Sequence, residues 1–134
     1  LGYVQADAAH LPFRSHMFAC ATAIRFLGHI PPATRVDMLR ELARVSQGYI
    51  IVDYCVFNPI INIRRQLDYR IRGKKLGFDK DWTWQSIPKR QLEGEFQAAN
   101  LKAVQWFAKM PFFSDAWMVL LATKDMELRP AVPD

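Results

Sequence analysis

From Val4 to Tyr54 the chain alternates apolar runs with turn and helix signals, and few folds accept that order. A short, mostly apolar run, Leu1–Ala6, leads into Asp7-Ala8-Ala9-His10-Leu11-Pro12-Phe13. A longer run follows, Phe18–Phe26, broken only by Thr22 and Arg25. After a loop carrying His29 comes an amphipathic segment, then Gly48 and a third run, Tyr49–Val52. At 100° per residue Met38, Leu39, Leu42, Ala43 and Val45 share one face, which predicts a helix. The other face carries the pairs Asp37–Arg40 and Glu41–Arg44, each at the spacing that meets on a helix. Pro31-Pro32 closes the loop, and Thr34 with Asp37 three residues on predicts a capping-box start. Gly48 is expected to end the helix in the left-handed conformation. Strands joined by a helix in this way form an open α/β sheet, and continuous apolar runs predict strands buried on both faces. Ligands of such sheets bind outside the carboxyl ends of the strands.

The rest of the chain extends that pattern. Pro59 can open a helix, and Phe57, Ile60, Ile63, Leu67 and Ile71 fall within one broad face of it. The segment Phe57–Lys75 is strongly basic, with Arg64, Arg65, Arg70, Arg72, Lys74 and Lys75 against Asp68 alone. Trp82 and Trp84 stand in an aromatic, turn-like stretch. Ser86, with Pro88 just inside, predicts another helix, striped by Leu92, Phe96 and Ala99 and capped by Asn100. Leu101–Met110 and Trp117–Ala122 read as strands, and the short connection over 111–115 suits an antiparallel pair. The tail from Asp125, with Pro130 and Pro133, is expected to be mobile.

Composition narrows the classes. A chain of 134 residues, 51% apolar and 23% charged, is the size and make-up of one soluble domain. No run approaches the ~18 apolar residues of a membrane span. Cys20 and Cys55 lie in strand-like runs without ligand spacing, and are expected as buried thiols of a reduced, cytoplasmic protein. His10, His16 and His29 have neither the spacing nor the carboxylate cluster of a metal site, so none is expected. The net charge of +5 favours acidic partners slightly. No nucleic-acid motif accompanies the tryptophans and the basic segment, so no nucleic-acid partner is expected.

Three strings carry a resemblance: Asp7-Ala8 closing the first run, Leu11-Pro12-Phe13 after it, and Leu39-Arg40-Glu41-Leu42-Ala43-Arg44-Val45. Together they resemble the class I S-adenosylmethionine-dependent methyltransferases that act on small molecules. The resemblance covers residues 1–124. It implies an α/β, partial Rossmann-like sheet made of the family's strands three to seven, ending in an antiparallel carboxyl-terminal pair. Two features depart from the family: Ala19 stands where an acidic residue is usual, and no glycine-rich nucleotide loop precedes Asp7. With Leu1 almost inside a strand, the chain reads as the carboxyl-terminal portion of such a domain. The family's strand order is three, two, one, four, five, seven, six. Leu1–Ala6 is therefore expected either to stand off from the sheet or to pair beside Ala21–Ile24.

The resemblance also implies the site. S-adenosylmethionine is the expected cofactor, with Asp7 and Ala8 at its adenine, Leu11 in the hydrophobic turn, and Ala23, Ile24 and Arg25 at its methionine portion. Taken alone, Asp7 suits a cap or turn equally, and Arg25 suits either a carboxylate or a surface ion pair. His29 is implied as a further cofactor contact; it serves either to polarise a substrate hydroxyl or to hydrogen-bond the backbone or pack on the cofactor. Asp53 and Tyr54 reach the same rim from the third run. Residues 57–84 form a lid over it, with Ile60, Ile63, Leu67 and Ile71 facing inward and Arg65 and Arg72 facing water. The implied activity is methyl transfer to a small-molecule or lipid-like acceptor. Such a displacement is driven largely by positioning, so no catalytic residue is assigned. Two other readings remain: a non-catalytic α/β scaffold, and a peripheral protein whose basic segment meets an anionic membrane surface.

Overall fold

The computed structural model describes residues 2–61, 63, 67, 86–108 and 116–123. Its strands are β1 (Phe18–Ala23), β2 (Ser46–Cys55), β3 (Leu101–Ala108) and β4 (Ala116–Thr123), in the sheet order β1-β2-β4-β3. The parallel pair β1 and β2 is joined through helix α1 (Pro32–Val45); β4 runs antiparallel to β2 and to β3. Helix α2 (Lys89–Ala98) precedes β3, and Asn100 ends it at φ 58°, the left-handed cap that its sequence predicts. The class is the α/β sheet with an antiparallel carboxyl-terminal pair expected above.

Residues 2–6 form no strand and lie exposed. The first apolar run thus stands off from the sheet, which has four strands rather than five among the described residues. Strand backbone must pair its N–H and C=O groups, and no described residue pairs with the outer edge of β1.

Both helices cover one face of the sheet. Leu39 of α1 and Leu92 and Phe96 of α2 pack on Ile50, Val52 and Tyr54 of β2 and on Val119 and Leu121 of β4. The other face leaves Phe107 and Met118 exposed. This one-sided cover overturns the reading of Phe18–Phe26 as buried on both faces. β1 is an edge strand in which Phe18, Ala19, Cys20 and Thr22 are exposed and only Ala23 is buried. Cys20 is accordingly an exposed thiol and Cys55 a half-buried one, not a buried pair.

Two end signals are also corrected. Helix α1 starts earlier than Thr34, with Pro31 at its N-cap and Pro32 as its first residue, and with no side-chain cap. A proline fits there because the first N–H of a helix has no partner to lose. Gly48 is not a helix end; it lies inside β2 with φ 121°. The pairing steps from Phe18↔Ser46 to Cys20↔Tyr49, so three residues of β2 oppose two of β1. That is a β-bulge, and glycine accepts its backbone angle.

Pro59 does open a helix: residues 59–61, 63 and 67 are helical. Asn58 caps it, its Oδ1 accepting from the N–H of Ile60 at 3.0 Å. The expected inward stripe is not inward. Ile60, Ile63 and Leu67 are 57, 59 and 50% exposed, since the helix-bearing face of the sheet is already filled by α1 and α2. Ile71, Arg65, Arg72, the tryptophans Trp82 and Trp84, the connection over 111–115 and the tail from Asp125 lie outside the described residues.

The two covering helices are tied by a buried ion pair. Arg35 is 1% and Glu95 7% exposed. The guanidinium donates from Nε and Nη2 to the two carboxylate oxygens at 2.6 and 2.7 Å. Its Nη1 donates to the carbonyls of Leu27 and Ile30, and Gln91 Nε2 donates to Glu95 Oε1. Glu95→Ala leaves a buried cation without its counter-charge, an expected loss of about 3–5 kcal/mol in urea unfolding. The double variant Arg35→Met with Glu95→Leu should recover most of it. A loss in Glu95→Ala below about 1 kcal/mol would show that water reaches the pair.

Candidate functional site

Because β1 and β2 are parallel, with Ala23 beside Val52, residues 24–26 leave β1 at the level where Asp53, Tyr54 and Cys55 continue β2 beyond it. Two clefts open there. One, of about 290 Å3, is walled by Ala8, Leu11, Ala23, Ile24, Phe26 and Met38. The other, of about 280 Å3, is walled by Arg25, Phe26, His29, Asp53, Tyr54 and Ala116. Phe26 lines both. The residues singled out by sequence therefore sort themselves: Ala8, Leu11, Ala23 and Ile24 share the first cleft, and Arg25, His29, Asp53 and Tyr54 share the second. Asp7, Ile63 and Leu67 line neither.

Asp7 is engaged by its own turn. Its Oδ1 accepts the N–H of Ala9 at 2.9 Å, its carbonyl accepts the N–H of His10, and its Oδ2 meets His10 Nδ1 at 3.1 Å. The Ala9 hydrogen bond, followed by that of His10, holds the carboxyl below its ordinary pKa. The turn is anchored on α1 through Glu41 and Arg44. Leu11 N–H donates to Glu41 Oε2 at 3.0 Å, and Arg44 donates to the carbonyls of Phe13 and Leu11 at 2.8 and 3.0 Å. Arg44 also bonds both oxygens of Glu41, and that hydrogen bonding pulls the Glu41 carboxyl down. Sequence reading gave this pair only as an ion pair on the polar face of the helix. The structure makes it the latch that carries one wall of the first cleft.

On the second cleft, Arg25 adopts φ 55° and its N–H donates to Asp53 Oδ1 at 2.5 Å. A left-handed non-glycine residue costs roughly 1–2 kcal/mol, and a hydrogen bond to a carboxylate is strong enough to offset that. His29 closes a short 3-10 turn, Leu27–His29, and is exposed. Tyr54 is buried, with the Arg35 guanidinium carbon 5.9 Å from its ring centroid; burial raises its phenol well above the ordinary value. The other histidines are held elsewhere: His10 on Asp7, and His16 with Nδ1 3.1 Å from the carbonyl of Ser46.

No family model matches the sequence, and no curated protein sequence matches it. The likeness lies in three dimensions. A magnesium protoporphyrin IX methyltransferase from Synechocystis PCC 6803, solved with bound SAH, superimposes at a TM-score of 0.60 and 10% identity, over 88% of this chain and 49% of that one. A SAM-dependent methyltransferase from Methanosarcina mazei gives a TM-score of 0.62 at 16% identity, over 88% of this chain and 65% of that one. A methyltransferase of calicheamicin biosynthesis, with SAH bound, gives 0.60 at 17% identity, over 90% of this chain and 33% of that one. The fold is that of a class I methyltransferase. The chain spans between 33 and 65% of the lengths of these proteins.

Within the methyltransferase fold, sequence reasoning missed Phe26 and Met38 as site walls and Glu41 and Arg44 as the latch behind one of them. Phe26 was visible as an aromatic at the end of an apolar run, where a ligand-facing residue sits in such sheets. The Glu41 latch sets a pH dependence. A folded carboxyl held below its unfolded value stabilises above the unfolded pKa and loses that contribution as pH falls through the folded one. Exchange protection of the Leu11 amide should therefore hold at neutral pH and fall below about pH 4. Glu41→Gln should show the reduced protection already at pH 7. For the second cleft, Asp53→Ala should speed exchange at the Arg25 amide by about tenfold or more, the worth of a hydrogen bond to a charged group. Unchanged exchange would mean the left-handed step is held by something else.

Proposed function

We propose that the chain serves S-adenosylmethionine-dependent methyl transfer to a small-molecule acceptor. The observation that carries this reading is the pair of adjoining clefts at the carboxyl rim of β1 and β2, on a methyltransferase fold. The first cleft takes the adenosyl side of the cofactor against Ala8, Leu11 and Ala23, beside Asp7. Ile24 meets its methionine portion from the first cleft, and Arg25 and His29 from the second, where Asp53 and Tyr54 meet the acceptor. Methyl transfer needs its two reactants held in line, and positioning alone supplies much of the barrier reduction. The bound SAM or SAH of the structural neighbours supports the cofactor class.

These residues provide the adenine side and part of the methionine side, without a glycine-rich loop for the rest. Every 1.4 kcal/mol of missing contact is tenfold in affinity, so the 134 residues alone should bind the cofactor weakly. Calorimetry with S-adenosylhomocysteine is expected to show no micromolar binding. Nuclear magnetic resonance titration at ~1 mM, a range worth about 4 kcal/mol of binding, should shift the amides of Ala8, Leu11, Ala23 and Ile24. Shifts confined to other regions, or tight binding, would count against the assignment of the first cleft.

A second reading has its own observation, the exposed stripe of Phe57, Ile60, Ile63 and Leu67 within a basic stretch of sequence. Such a stripe suits an acceptor drawn from an anionic lipid surface. Sedimentation with phosphatidylglycerol vesicles tests it: binding should fall as salt rises and should weaken in Ile60→Asp.

A further inference from the structure

Along β2, Val52 and Tyr54 point into the core beneath the helices, 0 and 3% exposed. Successive strand residues alternate faces, so Asp53 and Cys55 point to the bare face of the sheet. Ala116 stands opposite Cys55 on β4 and shares that face. All three line the second cleft, which therefore opens on the side that the helices leave uncovered. The Asp53 carboxylate is half-buried there and is held by one oxygen, Oδ1, which accepts the N–H of Arg25 at 2.5 Å. Among the described residues Asp53 makes no other hydrogen bond or ion pair. Phe26 lines the same cleft and is 41% exposed.

We propose that the second cleft binds a protonated amine carried on an apolar ring, with Asp53 Oδ2 accepting from the ammonium and the Phe26 ring beside the charge. The inference deepens the acceptor side of the methyl-transfer reading and rests on it for the ligand's role. A carboxylate oxygen without a partner draws a hydrogen-bond donor, and a charged donor more strongly than a neutral one. An aromatic ring attracts the same cation, and neither group attracts an anion. Arg25 and His29 also line the cleft, but both are exposed residues whose charge water and salt screen. Asp53 is instead fixed in the wall by a backbone N–H. The ligand body is small and apolar because Phe26, Gly28 and Ala116 bound it, and a cleft of about 280 Å3 holds a single ring with a short substituent. A protonated nitrogen has no lone pair to take a methyl group. The amine therefore orients the acceptor, and the methylated atom lies elsewhere on it.

Benzylamine and benzyl alcohol have nearly the same size and shape, but near neutral pH the amine is a cation. Amide-shift titration of the chain with each should move the amides of Arg25, Gly28, Asp53 and Cys55. Asp53→Asn keeps an oxygen for the Arg25 N–H and removes the charge. It should weaken benzylamine about three- to tenfold, the worth of a charge-assisted hydrogen bond at a half-exposed site, and leave benzyl alcohol within about twofold. In the native chain benzylamine affinity should fall as salt rises, and benzyl alcohol affinity should hold. Phe26→Leu should weaken benzylamine by about twofold beyond its effect on benzyl alcohol. Benzoate, of the opposite charge, should bind the native chain about threefold or more weakly than benzylamine. Tighter binding of benzoate, an equal loss of both probes in Asp53→Asn, salt-independent benzylamine binding, or no shifts at the cleft would overturn the proposal. The S-adenosylhomocysteine titration is read separately. Its failure beside an intact preference for the amine removes the methyl-transfer reading and leaves the Asp53 assignment standing.

Discussion

The placement of everything at the rim depends on the buried contact between Arg35 and Glu95, 60 residues apart in sequence. Taking two charges out of water costs several kcal/mol per ion, so such a pair adds little net stability over an apolar substitute. What it imposes is geometry. Nη1 of Arg35 bonds the carbonyls of Leu27 and Ile30, while Nε and Nη2 take the two oxygens of Glu95. Those bonds are made together only when α1, α2 and the 27–30 turn hold one mutual arrangement. The turn supplies His29 and Gly28 to the second cleft, and the same guanidinium lies by the ring of Tyr54. A shift of α2 along the sheet would strand a charge and deform the cleft in the same motion.

Local patterns were legible in the sequence, and non-local ones were not. The stripe and ion pairs of α1, the Leu92–Phe96–Ala99 stripe and the β3–β4 pair all follow from periodicities of 3.6 and 2. Arg35 sits among the polar positions of a helix, and nothing within a few residues announces a partner on another helix. Gly48 shows a subtler ambiguity. A helix end and a β-bulge both require glycine's positive φ, so only the strand register separates them. The apolar run of β1 looked fully buried because composition records affinity for a core, whereas edge position is a matter of topology. Ile60, Ile63 and Leu67 were rightly placed on one face, but the surface that a face covers is decided elsewhere in the chain.

The grouping of site residues was legible for a simpler reason. Parallel strands deliver their carboxyl ends to a common rim, so Ala23, Ile24 and Arg25 had to meet Asp53 and Tyr54 once the strands were assigned. The division into two clefts was not legible. It arises at Arg25, where the left-handed backbone interrupts the alternation of a strand. Ile24 faces the first cleft, Arg25 the second, and Phe26 stands between them.

That division bears on the proposed chemistry. The proposed methyl transfer asks for the donor carbon and the acceptor atom to come within about 3–3.5 Å in line. Phe26 lines both clefts, so two ligands would each be registered against their own walls and could meet only past the edge of that ring. The Arg25 N–H to Asp53 bond fixes where that wall rises, and the Glu41–Arg44 latch fixes the far side of the first cleft. Neither contact touches the reacting atoms. In the proposed reaction both would bear on the distance between the reactants, the quantity that a reaction driven by positioning responds to.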